Sequence, residues 1–347
     1  MSTVDRRYDI DWLRVIAIGL LLIYHVAIGF QPWGMMIGFI TNNEPWVSLW
    51  IPMAMLNVWR IPLLFFVSGM GVFFAFRHRT WFELLRERST RILLPFIFGT
   101  FVIVPLSTLL WQKYVGLGAS YSYQPGHLWF LGNIFVYVLL LSPLLHFLKR
   151  HPESKFIRAL RALFATPLGL IPGVLVFTLE AMIIKPYPYE LYALTPHGFF
   201  LGMLAFFFGF IFVLAGDPFW KMITRWRWMF LALAIILFII RIVYFKMNVP
   251  YYLLITESHC WIFSVMAFAR QNLNRPGSAL TYLSKAAYPV YILHMIWLML
   301  GSMMIFPLHI SVQIKFYLLL LFTFVGCFMS YEILRRVPIL RMLFGMT

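Results

Sequence analysis

Ten stretches of this chain are apolar for long enough to cross a lipid bilayer, and nothing constrains its fold more. They run roughly over 11–30, 47–76, 92–112, 127–148, 166–184, 197–216, 228–245, 250–269, 282–306 and 312–334. A spanning helix needs roughly 20 predominantly apolar residues. The stretch 47–76 is longer than one span requires, and Pro52 and Pro62 predict a break or kink that leaves a short outer piece before the main helix. With 62% hydrophobic and 12% charged residues, against roughly 25% charged in soluble domains, a soluble globular or disordered chain is excluded. A membrane β-barrel would show alternating apolar and polar residues, whereas these runs are continuous. The fold class is therefore all-α: a polytopic membrane protein of about ten transmembrane helices, read as one domain over 1–347. Residues 77–91, from Arg77 and His78 to Arg91, read as an amphipathic surface helix. The longest polar connection, 149–165, is too short for a soluble domain. Cys260 and Cys327 lie inside apolar runs and suggest neither a disulfide framework nor a metal site. The first run follows Asp9 and Asp11 without a small-residue cleavage pattern, so it reads as a retained span.

The formal net charge is +16. In a soluble protein that would raise nucleic acid as a partner; here the charge follows the loops. With ten spans and both termini cytoplasmic, 22 of the 28 Lys and Arg fall on the inner side. The other six are Arg60, Lys113, Lys185, Arg241, Lys246 and Lys315. This asymmetry is the positive-inside pattern, and a different span number would scramble it. The charge is thus an orientation collar with membrane-lipid contact, in a multi-pass protein expected in the bacterial inner membrane, and no nucleic acid is expected.

Ionisable groups within spans are costly and mark functional candidates. In the first span, Arg14 and His25 are 11 residues apart. At 100° per residue they share one helix face, about 16 Å apart along the axis. A cytoplasmic-side cation thus stands in line with a deep titratable base, although a membrane His also serves plain helix packing. Arg60, in the second span, needs a partner, and Glu257 at comparable depth is the best candidate. An ion pair that only joins two helices is the equal alternative. His294 should reach the middle or outer half of span nine, and His127 begins span four at the outer face. Glu180 reads as an interfacial carboxylate. Arg88 and Arg91, at i,i+3 before span three, share a face and suit phosphate recognition, or else anchor the chain as inner-side charge. No Walker A, GxGxxG, HExxH or HxxxH box is present, and the nine His are scattered, so no metal is expected.

Taken together, these positions resemble acyltransferase family 3 of polytopic membrane proteins. The resemblance rests on Arg14-x10-His25; Arg60 with Phe65-Phe66-Val67-Ser68-Gly69; Arg88-x-x-Arg91 before Leu93-Leu94-Pro95; His127-Leu128-Trp129-Phe130-Leu131; Tyr291-Ile292-Leu293-His294; and Tyr331-Glu332-Ile333 with Pro338. Several of these, with Thr256-Glu257-Ser258, look most like the glucan biosynthesis protein C branch, associated with succinylation of periplasmic glucans. The resemblance implies transfer of an acyl group, acetyl or succinyl, from cytoplasmic acyl-CoA to a hydroxyl of an extracytoplasmic glycan, with no permanently bound cofactor. In that scheme Arg88, Arg91 and Arg14 hold the donor's phosphates, and His25 is the general base. Arg60, positioned by Glu257, stabilises the oxyanion. His294, His127 and Trp129 line the acceptor side. A covalent acyl-enzyme on Ser68 is the less favoured route. The rival class is a transporter or flippase for a glycan or lipid-linked glycan. Transporters often carry inverted repeats, and none is evident, since Arg14-x10-His25 has no counterpart in the second half.

Overall fold

Apolar runs in lipid must satisfy their own backbone groups, and an α-helix does so within one segment. In the computed structural model, which describes residues 6–76 and 79–346, the apolar runs are helices. They are α1 (Tyr8–Ile28), α2 (Val47–Ala75), α3 (Trp81–Tyr114), α4 (Gly126–Arg150), the short amphipathic α5 (Lys155–Leu163), α6 (Pro167–Ile184), α7 (Pro196–Ala215), α8 (Asp217–Arg225), α9 (Arg227–Val243), α10 (Tyr251–Asn272), α11 (Ser278–Ile305), α12 (Val312–Leu334) and the terminal turn α13 (Pro338–Leu343). Among the described residues nine helices are long and apolar enough to cross a membrane. The bent pair α8 and α9, angled by 60°, makes a tenth if it forms one span. The protein is an all-helical polytopic membrane protein with nine to ten spans.

Two local expectations are corrected. The chain does not break at Pro52 or Pro62: after a 3-10 turn at Val47–Leu49, one helix runs from Trp50 to Ala75 through both. Pro52 sits in the first turn, where a helix has no use for the missing N–H, and Pro62 removes one bond from a buried helix. The surface helix is not separate either: from Trp81 it continues without interruption into the third span. Its first two expected residues, Arg77 and His78, lie outside the described residues.

The chain divides into two compact units. The first comprises Met1–Ala17, Asn57–Arg86 and Val136–Thr281. Its core is aromatic and built on close backbone approach. A Cβ on Gly69 would sit 1.8 Å from the Phe206 carbonyl oxygen, and one on Gly209 would sit 2.0 Å from that of Phe66. Glycine is therefore required where α2 meets α7. Around this crossing Phe66 stacks on Phe212, and Phe212 on Phe219 at 4.3 Å. The start of α1 is fixed by Asn274, whose Oδ1 accepts from the Tyr8 and Asp9 amides. Arg7 chelates the buried Asp9 at 2.8 and 2.6 Å and lies over the Trp220 ring.

The second unit comprises Ile18–Leu56, Glu87–Phe135 and Tyr282–Thr347. Its span α3 carries two π-turns, Ser89–Leu93 and Gly99–Ile103. Pro95 and Pro105 cannot donate to the carbonyls four residues back, those of Arg91 and Phe101, and the helix widens at both places. The Phe101 carbonyl instead accepts from the Tyr121 hydroxyl at 2.8 Å. The Arg91 carbonyl is covered by the end of the chain, at Gly345. Gly99 lets the upper π-turn press on the start of α4: a Cβ there would lie 2.1 Å from Leu128 Cδ1. This contact fixes Leu128, the neighbour of His127.

Candidate active site

Three histidines distant in sequence meet within the second unit. His25 Nδ1 lies 2.7 Å from His294 Nε2, with the rings stacked at 4.9 Å between centroids. His294 Nδ1 lies 2.7 Å from the Tyr291 carbonyl oxygen, one turn earlier in α11. His127 sits edge-on to His294 at 4.9 Å, and its Nε2 is 3.0 Å from the Ile292 carbonyl oxygen. The Tyr291 hydroxyl donates to the His127 carbonyl, tying the start of α4 to α11. His294 is fully buried, while His25 and His127 are half-buried.

The protons follow from the acceptors. A carbonyl oxygen only accepts, so His294 carries its hydrogen on Nδ1. In a neutral ring the other nitrogen is then an acceptor. His294 Nε2 therefore receives the Nδ1–H of His25, and the basic lone pair of His25 is on Nε2. The arrangement follows the logic of an oriented base, in which a second group fixes tautomer and ring plane. The orienting group here is a neutral imidazole anchored on a backbone carbonyl. By the same reasoning His127 carries its hydrogen on Nε2, donated to Ile292.

Below His294 on α11 stand Tyr291 and Tyr288, each three residues further down, or about 4.5 Å per step. The Tyr288 hydroxyl is buried and has no hydrogen-bond partner among the described residues. It lies within electrostatic range of Arg88. Arg91 turns back to Glu87 at 3.0 Å. The π-turn Ser89–Leu93 begins directly after Arg88 and contains Arg91. Gly345 packs against the Arg91 carbonyl and the Tyr288 ring, and Phe344 packs edge-on against Phe98. One unit thus contains, in order along α11 and its neighbours, Arg88, Tyr288, Tyr291, His294 and His25. Sequence reasoning missed Tyr288 and Tyr291 as site residues. Their signal was the three-residue spacing Tyr288, Tyr291, His294, which follows a helical stripe.

The remaining candidates fall elsewhere. Trp129 is buried at the start of α4 in the second unit. Arg14, Arg60, Ser68 and Glu257 belong to the first unit. Arg14 is partly exposed and lies 3.6 Å from Asp11. Arg60 is buried in α2. Ser68 donates to the Leu64 carbonyl at 2.7 Å within its own helix. Glu257 is not matched to Arg60: its two oxygens accept from Arg241 Nε and Nη2 at 2.8 and 2.9 Å, with both side chains 1% exposed. Arg241 is one of the six cations that the charge count leaves off the expected inner side, and its distance from any motif hid it. Guanidinium and carboxylate meet there in the planar, two-bond geometry that suits burial. Glu180, near the end of α6, is buried with its Oε1 3.0 Å from His197 Nδ1.

A family model described as an acyltransferase domain matches residues 7–332. No curated protein matches the chain. No solved structure matches it either. The matched span takes in every histidine of the cluster and nearly all of both units, and the chain belongs to acyltransferase family 3.

Proposed function

We propose that this membrane acyltransferase moves an acyl group from cytoplasmic acyl-CoA to a hydroxyl of a glycan on the opposite side, with His25 as general base. The observation that carries the reading is the hydrogen-bond chain Tyr291 carbonyl, His294, His25, with its two 2.7 Å links. It leaves His25 Nε2 as the nitrogen that takes a proton. The acceptor hydroxyl gives its proton to Nε2 while its oxygen attacks the thioester carbonyl. The C–S bond then breaks, and the imidazolium returns the proton to the leaving CoA thiolate. His294 holds the ring in plane and shares the transient positive charge without needing a buried carboxylate.

The donor's phosphates suit the Arg88 and Arg91 end of the same unit, since guanidinium groups bind phosphate oxygens in pairs. The Tyr288 hydroxyl, between Arg88 and His294, offers a hydrogen bond to an amide of the pantetheine arm. The charge asymmetry of the loops supports a cytoplasmic position for that end and for both termini. Acetyl and succinyl are the acyl groups in view, and the likeness to the glucan biosynthesis protein C branch favours succinyl on a periplasmic glucan. The test uses the purified chain in proteoliposomes with acyl-CoA outside or inside and glycan opposite. Mass spectrometry should find glycan heavier by one acyl group only when acyl-CoA is supplied. Glycan that crosses unmodified would replace the reading with transport, and intact acyl-CoA in every arrangement would overturn it.

A further inference from the structure

In the first unit, away from every residue given a step above, Phe76 just after α2, the start of α3 and the end of α4 line an open pocket of about 350 Å³. Its lining includes Arg79, Lys149, Arg150, His146, Phe76 and Glu83. Three cations face one carboxylate, and that carboxylate is engaged: Glu83 Oε2 accepts from the Thr80 amide at 2.8 Å and the Thr80 hydroxyl at 3.0 Å. Lys149 donates to the Phe73 carbonyl at 2.8 Å, which holds its ammonium at the pocket. Phe76 and His146 form a tilted ring pair at 5.2 Å. The wall is braced by Trp81, whose indole N–H donates to Ser142 Oγ at 2.6 Å.

We infer that this pocket binds the phosphodiester headgroup of an anionic phospholipid. Depth and the surface above the pocket choose a lipid over a free phosphate compound. Lys149 and Arg150 are the last two residues of α4, a span of 25 residues, so the pocket lies at headgroup level. Leu139 is seven residues before His146 and eleven before Arg150, which places all three on one helical line. Leu139 is 48% exposed, and Leu140, Leu144 and Phe147 beside it are exposed as well. A headgroup among the cations therefore has an apolar track for its acyl chains on the same helix. The loop charges place this pocket on the cytoplasmic leaflet, where anionic lipids act on basic groups near the surface.

The test is native mass spectrometry of the full chain, purified in mild detergent and supplied with equal phosphatidylglycerol and phosphatidylcholine. Phosphatidylglycerol should remain bound through detergent washing and phosphatidylcholine should not. Arg79→Gln with Arg150→Gln should weaken phosphatidylglycerol retention roughly twenty- to thirty-fold, and exposed Arg150→Gln alone about fivefold. Lys149 is left intact because it supports the Phe73 carbonyl. Inorganic phosphate and free CoA, each in millimolar excess, should not displace the lipid. Undiminished retention in either variant, equal retention of the two lipids, or displacement by phosphate or CoA would overturn the inference. Because the acyl-transfer assay is read separately, a failure here leaves the reading of His25 where it stands.

Discussion

Each unit buries a polar cluster, and the two are built on opposite principles. In the first unit Arg241 and Glu257 close on each other through two hydrogen bonds at 1% exposure, with Glu190 3.7 Å from Arg241 Nη1. Formal charges are neutralised where they stand, and no proton needs to move. In the second unit His25 is joined to His294, and His294 and His127 are each joined to a backbone carbonyl. The chain of His25 and His294 is directional: it begins on the Tyr291 carbonyl, and in the proposed mechanism it ends on the His25 nitrogen that accepts a proton. A charge pair at this depth holds helices together, whereas a chain of neutral imidazoles can gain and return a proton without burying an uncompensated charge at rest.

The comparison is broken most easily through the histidines. His25→Ala should lower acyl transfer by about 10³- to 10⁴-fold, and His294→Ala by about 10²-fold, within the range for general-base catalysis. Because the two act as one unit, the double variant should be no slower than His25→Ala alone. Rates that multiply instead would separate the pair. Next in size is the ion pair: Glu257→Ala should destabilise the first unit by about 3–5 kcal/mol, the cost of leaving a buried charge alone. Thermal unfolding in detergent reads the loss. The molecules that remain folded should retain transfer activity, and a selective loss of turnover at unchanged stability would move Glu257 into the catalytic machinery. A smaller effect is expected of Tyr288→Phe, which should raise the KM for acyl-CoA up to about tenfold, one hydrogen bond to the donor, while kcat stays nearly constant. The smallest is Ser68→Ala, whose hydroxyl bonds within its own helix to the Leu64 carbonyl; transfer should stay within about twofold. Trapping of an acyl group on Ser68 would reverse that assignment.

Much of the fold was legible because lipid leaves few choices. Apolar runs had to be helices, and each of the ten stretches corresponds to one, with α9 falling short of a full span unless joined to α8. What misled was local. Proline was read as a breaker at positions 52 and 62, yet packing kept α2 continuous, whereas the prolines that do reshape a helix, Pro95 and Pro105, lie in α3 behind π-turns. For the site, His25, His127 and His294 were each visible as isolated membrane histidines, but nothing in their separate runs showed that they touch. The missed pairing has the same cause. Glu257 was matched to Arg60 by depth, and depth does not report azimuth; Arg241 approaches from α9 at the right angle. The two tyrosines below His294 were hidden because tyrosine in a membrane protein reads first as an interfacial anchor.

The central claim is that His25 Nε2 takes the acceptor's proton. The most direct measurement is single-turnover transfer from radiolabelled acyl-CoA to glycan, comparing wild type with His25→Ala in proteoliposomes and measuring donor binding in the same samples. The expected result is undiminished acyl-CoA binding with transfer reduced by at least about a thousandfold. A His25→Ala protein that still acylates the glycan at near wild-type rate would contradict the account.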